Sequence, residues 1–279
     1  MSWALISDST CDIRSMENLA PDTFFATVPL KIRVGDREYV DNAALDVLSM
    51  VQAVSNYNGT TSSACPAPEE WVEKFLQADC VIVNTITSGL SGSYNSAMVA
   101  RDMVLESHPE KKIHVVDNRA TGGKGALILW RANELIAEGW SFEAIVEELE
   151  ALNKRIHCLF ALSCFDNLVK NGRMSKLVGF AAGMLNMRGV GCATPEGTIH
   201  VMHKTRGDTR MLAYLLEEID RRGYTGESLM TISHCDNEEA SLLLKNAVQK
   251  KWPGSKVILL PCCGLNSYYA ERKGLILCF

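Results

Sequence analysis

Residues 80–97 read CVIVNTITSGLSGSYNSA, and this stretch decides the fold. Its first seven residues are an apolar, β-branched run without polar alternation, the pattern of a strand buried on both faces of a parallel sheet. A Gly/Ser-rich turn follows and opens a helix. The same βα unit recurs around it. WALIS at 3–7 and IHVVD at 113–117 are further buried runs. DSTCD at 8–12 supplies capping chemistry for a helix after the first, and NRATGGKG at 118–125 precedes the helical pattern ALILWRANELIA after the other. Repeated βα units predict a doubly wound α/β first half. VPLKIRVGDREYV at 28–40, centred on Gly35-Asp36, reads as a hairpin inserted early.

After the helix SFEAIVEELEALNKR (141–155) the texture changes. Four strand-like segments, HCLFALS, GVGCATPEGTIHVMHK, SLMTISHC and KVILLPC, alternate with two amphipathic helices at 206–222 and 237–251. The second of these segments turns at Pro195-Glu196-Gly197. A hairpin among βα units predicts an α+β second domain with a mixed sheet. The expected organisation is residues 1–153 and 154–279, packed with a ligand cleft between them.

Composition excludes several classes. The chain has 279 residues, with 28 Lys+Arg against 33 Asp+Glu and a net charge of −5. At 47% hydrophobic and 22% charged, it is globular rather than disordered. A pI near 5.7 argues against nucleic-acid binding, which needs clustered Lys and Arg. The longest uncharged apolar stretch, Leu177 to Met187, is short of the ~20 residues that span a bilayer. Trp3–Ile6 runs straight into Asp8 without a leader-peptide pattern, so a cytoplasmic location is expected. The ten cysteines contain no C-x-x-C pair and read as reduced packing thiols. His200 and His203 (HVMH) have zinc-like chemistry, but positions three apart on a strand face opposite sides, so no metal is expected there.

The chemistry-bearing segments are two hydroxyl clusters. Thr85–Tyr94 follows a buried strand, with glycines that let a ligand approach the backbone, N–H groups aimed at it, and Ser91 to donate a hydroxyl. Thr60-Thr61-Ser62-Ser63 precedes Cys65-Pro66-Ala67-Pro68-Glu69-Glu70, where Pro and the acidic pair mark a helix start. Hydroxyl donors without nearby Lys or Arg suit a carboxylate better than a polyphosphate. Gly123-Lys124 lacks P-loop spacing, because Asn118 stands where the first glycine belongs. The competing reading is a serine acyl hydrolase with Ser91 as nucleophile and His234 or another distant histidine as base. It lacks the G-x-S-x-G elbow, since Ser93 occupies the last glycine position.

Taken in order, the fragments resemble the DegV family across nearly the whole chain. They are D-S-T-C-D (8–12), V-P-L (28–30), S-A-C-P-A-P (63–68), S-G-L-S-G-S-Y-N-S-A (88–97), V-V-D-N (115–118), L-V-K-N-G-R-M-S (168–175) and K-T-R-G-D-T-R (204–210). The resemblance implies a non-catalytic protein without a cofactor that buries one long-chain fatty acid, such as palmitate, stearate or oleate, between two α/β domains. It places the carboxylate on Ser63 and Ser91, with Ser62 and Gly92 beside them, and it makes the apolar run LVGFAAGML (177–185) a tunnel lining. It also implies a partner, the separate ATP-binding subunit of a fatty acid kinase, toward which Arg173 and Arg206 would flank the opening. The family's C-terminal H-x-G-P-G segment is missing; the chain reads Tyr268-Tyr269-Ala270-Glu271-Arg272-Lys273-Gly274 there. Two alternatives follow: the carboxylate takes its hydrogen bond from elsewhere, for example a nearby Tyr, or the head-group chemistry differs. Neither a membrane nor a nucleic acid is expected as a partner.

Overall fold

The buried runs form the strands read from them. In the computed structural model, which describes residues 1–175 and 186–279, the first half contributes seven strands. These are β1 Trp3–Asp8, β2 Thr23–Val28, β3 Lys31–Val34, β4 Arg37–Val40, β5 Thr61–Ala64, β6 Cys80–Thr85 and β7 Lys112–Asp117. A four-stranded, all-parallel sheet has the order β2-β1-β6-β7. The hairpin β3–β4 turns at Gly35 (φ +58°) and pairs with β5 to make a separate three-stranded antiparallel sheet.

Alternate residues of β1 and β6 serve opposite layers. Ala4, Ile6, Val81 and Val83 pack on α2 (Pro68–Phe75) and α3 (Ser93–Ser107), through Trp71, Phe75 and Ala97. Leu5 and Ile82 face the other way, toward α4 (Gly123–Ala137) and α5 (Phe142–Arg155). Each fully buried Leu, Ile, Val or Phe among them contributes roughly 1.5–3 kcal/mol.

The second half supplies β8 Cys158–Leu162, β9 Met187–Ala193, β10 Ile199–Arg206, β11 Met230–His234, β12 Val257–Pro261 and β13 Leu275–Cys278. They form a six-stranded mixed sheet, β10-β9-β8-β13-β11-β12. Its outer face, with Leu159, Val190 and Ile232, is covered by α7 (Asp208–Arg221) and α8 (Glu238–Lys251). Its inner face joins the same core as Leu5 and Ile82. Helix α4 therefore lies between the two sheets and touches both. Its glycines permit this: a Cβ on Gly123 would come 2.2 Å from Thr231 Oγ1, and one on Gly125 2.5 Å from Asn84 Nδ2. The Gly-rich turn at 122–125 is a packing device, and Lys124 donates to the Asn153 carbonyl at 2.9 Å.

Sheet membership divides between Asp117 and Cys158, while α5 runs through residues 153 and 154 without a break. Among the described residues the remaining α-helices are α1 (Val47–Asn56), α6 (Asp166–Lys170) and α9 (Gly264–Ala270).

Two sequence readings need correction here. DSTCD caps only a three-residue 3₁₀ turn, Ser9–Cys11, because Asp12, Asn18 and Asp22 all take positive φ and no α-helix follows β1. His200 and His203 lie on one face of β10, not two. A bulge between Val201 and His203 shifts the register, so their partners are Cys192 and Val190, two residues apart on β9. Even so, His203 stacks on Tyr214 at 4.4 Å, and no group of three or more metal-type side chains occurs among the described residues. The expected tunnel segment 177–185 lies outside the described residues.

Candidate functional site

The loop after β6 is fixed from below by one buried carboxylate. Asp8, at the end of β1, accepts from the Ile86 N–H (2.9 Å), the Ser93 hydroxyl (2.6 Å) and the Thr10 hydroxyl (2.6 Å). Burial raises its pKa, and these donors oppose the rise. The loop is thereby held at both ends, at Ile86 and at the first residue of α3. Ser91, between those anchors, accepts from the Ser93 N–H at 3.2 Å, which leaves its own hydroxyl proton for a ligand. Gly92 lies against the 63–68 segment: a Cβ there would meet Cys65 Sγ at 3.3 Å. The two hydroxyl clusters of the sequence are thus brought together.

The second cluster is a strand, so its members alternate. Thr61 and Ser63 point inward from β5, while Ser62 is exposed and does not line the cavity. The inward pair meets α9. Ser63 Oγ lies 2.8 Å from the Tyr269 hydroxyl, and Thr61 Oγ1 lies 2.7 Å from the Tyr268 hydroxyl. Burial raises the pKa of both phenols, so they are neutral donors near neutral pH.

Two buried aspartates hold the start of α9. Asp41, which also pairs with Arg14, accepts from Gly264 N–H (2.7 Å) and Leu265 N–H (2.8 Å). Asp12 accepts from Cys263 N–H and from Asn266 Nδ2, both at 2.8 Å. Burial pushes the Asp12 carboxyl up to about 7. Carboxylates at a helix start also match its dipole. Only the missing tail histidine pointed to this part of the chain, and no local pattern marks the helix itself; the pairing spans more than 200 residues.

Arg173 completes the corner. Its side chain donates to the carbonyls of Asn171 (2.6 Å) and Leu90 (3.2 Å), and its guanidinium lies 5.9 Å from the centre of the Tyr269 ring. Among the described residues no carboxylate pairs with it. Arg206 is elsewhere. It is exposed at the far end of β10, roughly 20 Å along the strand from the cavity-lining Ile199. The two arginines do not flank one opening.

Ser63, Ser91, Gly92, Arg173 and Tyr269 all line one cavity of about 310 Å³ between the sheets. Away from this corner its wall is largely apolar, with Leu30, Ile86, Phe160, Leu162, Leu265 and Ile276 among the lining residues. A preformed apolar slot with a few converging polar groups is a small-molecule site. No histidine lines it among the described residues. His234 instead accepts from the Asn237 N–H at 3.4 Å, so Ser91 has no base and the hydrolase reading loses its geometry.

A layered α/β protein that encloses an apolar cavity with a hydroxyl-and-guanidinium end is built to take an amphipathic carboxylate. Its relatives agree with that class. The family described as "Uncharacterised protein, DegV family" matches residues 2–267. The chain belongs to the DegV family. It is 41% identical over 277 residues to a DegV domain-containing protein of Streptococcus gordonii, covering 99% of this chain and 98% of that one. Among solved structures it superposes with a TM-score of 0.97 on the Streptococcus pneumoniae Fatty Acid Kinase (Fak) B3 protein loaded with linoleic acid, at 39% identity over 100% of this chain and 99% of that one. A DegV family protein from Eubacterium eligens loaded with heptadecanoic acid gives 0.95 at 35% identity, covering 99% of both chains.

Proposed function

We propose that this chain binds one long-chain fatty acid in the cavity between its two sheets and presents the carboxylate to a separate ATP-dependent kinase subunit. The supporting observation is the polar corner of a largely apolar cavity: Ser63, Ser91, Tyr269 and Arg173. An acyl chain matches the apolar wall, at about 0.8 kcal/mol per buried CH₂. A carboxylate matches the corner, where two serine hydroxyls, a neutral phenol and a guanidinium that pairs with no described carboxylate converge. Tyr269 takes the part expected of the missing tail histidine. The units on either side of the cavity are residues 1–153 and 154–279.

The chain performs no chemistry on the ligand. Acyl-phosphate formation requires ATP, and the partner supplies it. No described helix is long and apolar enough to cross a membrane, and the working location is the cytoplasm. Palmitate, stearate, oleate and linoleate are the ligands to test.

The test is native mass spectrometry of the purified chain before and after delipidation, followed by reloading. One C14–C18 acid per chain is expected, and a delipidated chain that takes up none overturns the reading. A fluorophosphonate probe is expected to leave Ser91 unlabelled.

A further inference from the structure

Cys158 and Cys278 stand directly opposite each other on the antiparallel neighbours β8 and β13. The next pair outward, His157 and Phe279, exchanges both backbone hydrogen bonds, N–H to C=O at 2.9 and 3.2 Å. Hydrogen-bonded and non-hydrogen-bonded pairs alternate along an antiparallel ladder, so Cys158–Cys278 is a non-hydrogen-bonded pair. Such pairs bring their Cα atoms to about 4.5 Å, inside the ~4.4–6.8 Å span of disulfides. Both side chains point to the inner face of the mixed sheet, and both are free thiols.

Cys158 is also reachable. Together with Ala120 and Ala193 it forms a wall shared by the fatty-acid cavity and a second, polar cavity of about 740 Å³. That second cavity is lined by Lys124, Asn153, His157 and Arg222 among others. Cys278 lines neither cavity and is fully buried.

We propose that Cys158 and Cys278 form a reversible thiol–disulfide site, with Cys158 as the attacking thiol and Cys278 as the resolving one. The electrostatics support this order. The neighbouring Cys278 thiol, which also donates to the Thr121 carbonyl at 3.8 Å, and the Lys124 ammonium hold Cys158 below the ordinary thiol value despite burial. Burial and the Cys158 charge push Cys278 well above it. Other buried thiols go the same way as Cys278, with Cys11 and Cys164 pushed up to about 12.

The oxidant is a hydroperoxide that enters through either cavity. The Cys158 thiolate attacks one peroxide oxygen and the O–O bond breaks. Hydroxide leaves and is protonated to water, giving a sulfenic acid. Cys278 then attacks that sulfur, its proton leaves with the departing hydroxyl as a second water, and the S–S bond forms. Two thiols and one hydrogen peroxide thus yield one disulfide and two waters, and a dithiol reductant reverses the change.

The test treats the intact, reduced chain with hydrogen peroxide, blocks remaining thiols with iodoacetamide, and maps peptides by mass spectrometry. The expected product is a Cys158–Cys278 crosslinked peptide, lighter by two hydrogens and abolished by dithiothreitol. In Cys278→Ser, dimedone should trap a sulfenic acid at Cys158; in Cys158→Ser it should trap none at Cys278. Absence of the crosslink in the wild-type chain while other cysteines oxidise overturns the proposal. So does equal dimedone labelling at the two positions. The wild-type measurement needs no variant to fold.

Discussion

The Tyr269 hydroxyl lies 2.8 Å from that of Ser63, a residue 206 positions earlier in the chain. One of the two hydroxyls spends its single proton on the other, and the accepting one keeps its own proton for a ligand. Arg173 stands over the same ring. The corner therefore has donors to spare when no carboxylate is present.

Tyr269→Phe keeps the ring and removes only the hydroxyl. A hydrogen bond to a charged group contributes about 1.5–3 kcal/mol, so fatty-acid affinity should fall roughly tenfold or more by calorimetry. An unchanged dissociation constant would place the carboxylate outside this corner.

The alternation along β5 sets an internal control. Ser63→Ala and Ser91→Ala should each weaken fatty-acid binding about tenfold. Ser62→Ala, on the exposed side of the same strand, should leave it unchanged. Equal losses at Ser62 and Ser63 would contradict the inward direction of Ser63.

The two arginines should separate. Arg173→Ala is expected to weaken carboxylate binding and to lower acyl-phosphate formation with the kinase subunit. Arg206→Ala, at the far end of β10, is expected to leave affinity unchanged, so any loss it causes belongs to docking. Reconstituted turnover, measured beside binding, distinguishes the two.

Asp12 gives stability a pH slope. Its carboxyl titrates at about 7 when folded and near 3.9 when unfolded. Across that interval the native state holds a proton that the unfolded state has released. Native stability therefore declines as pH rises from about 4 to about 7, and the loss is complete above that, on the order of 2–4 kcal/mol. Asp12→Asn cannot ionise, so its denaturation midpoints should vary less between pH 5 and 8 than those of the wild type. Parallel pH profiles would refute the assignment.

The parallel sheet was legible because its strands are unbroken apolar runs, a pattern that survives without knowledge of partners. The hairpin at 31–40 was legible through its Gly35 turn. Strand β2, TFFATV, was not, since it is only partly buried and lies at the sheet edge. The three-residue turn after β1 and the bulge in β10 are single-residue backbone events that residue type does not announce. Ser63 and Ser91 stood out because hydroxyls beside turns have local signatures, and both line the cavity. Tyr269, Asp12 and Asp41 join the site only through α9, whose packing is decided by contacts hundreds of residues away. Arg206 shows the reverse error, because nearness to a motif along the chain says nothing of distance in space.

Strand β13 sits between β8 and β11, and α9, which carries Tyr269, comes just before it. During synthesis the ribosome delivers β8 more than a hundred residues ahead of β13, at about 5–20 residues per second. For those seconds the mixed sheet exists as two separate halves with facing unpaired edges, and the cavity lacks its tyrosine wall. A chain not yet extended through α9 and β13 therefore lacks the tyrosine wall and the strand that joins the two halves of the sheet. Capture has to wait for these two elements, so ligand loading reports on the assembled sheet.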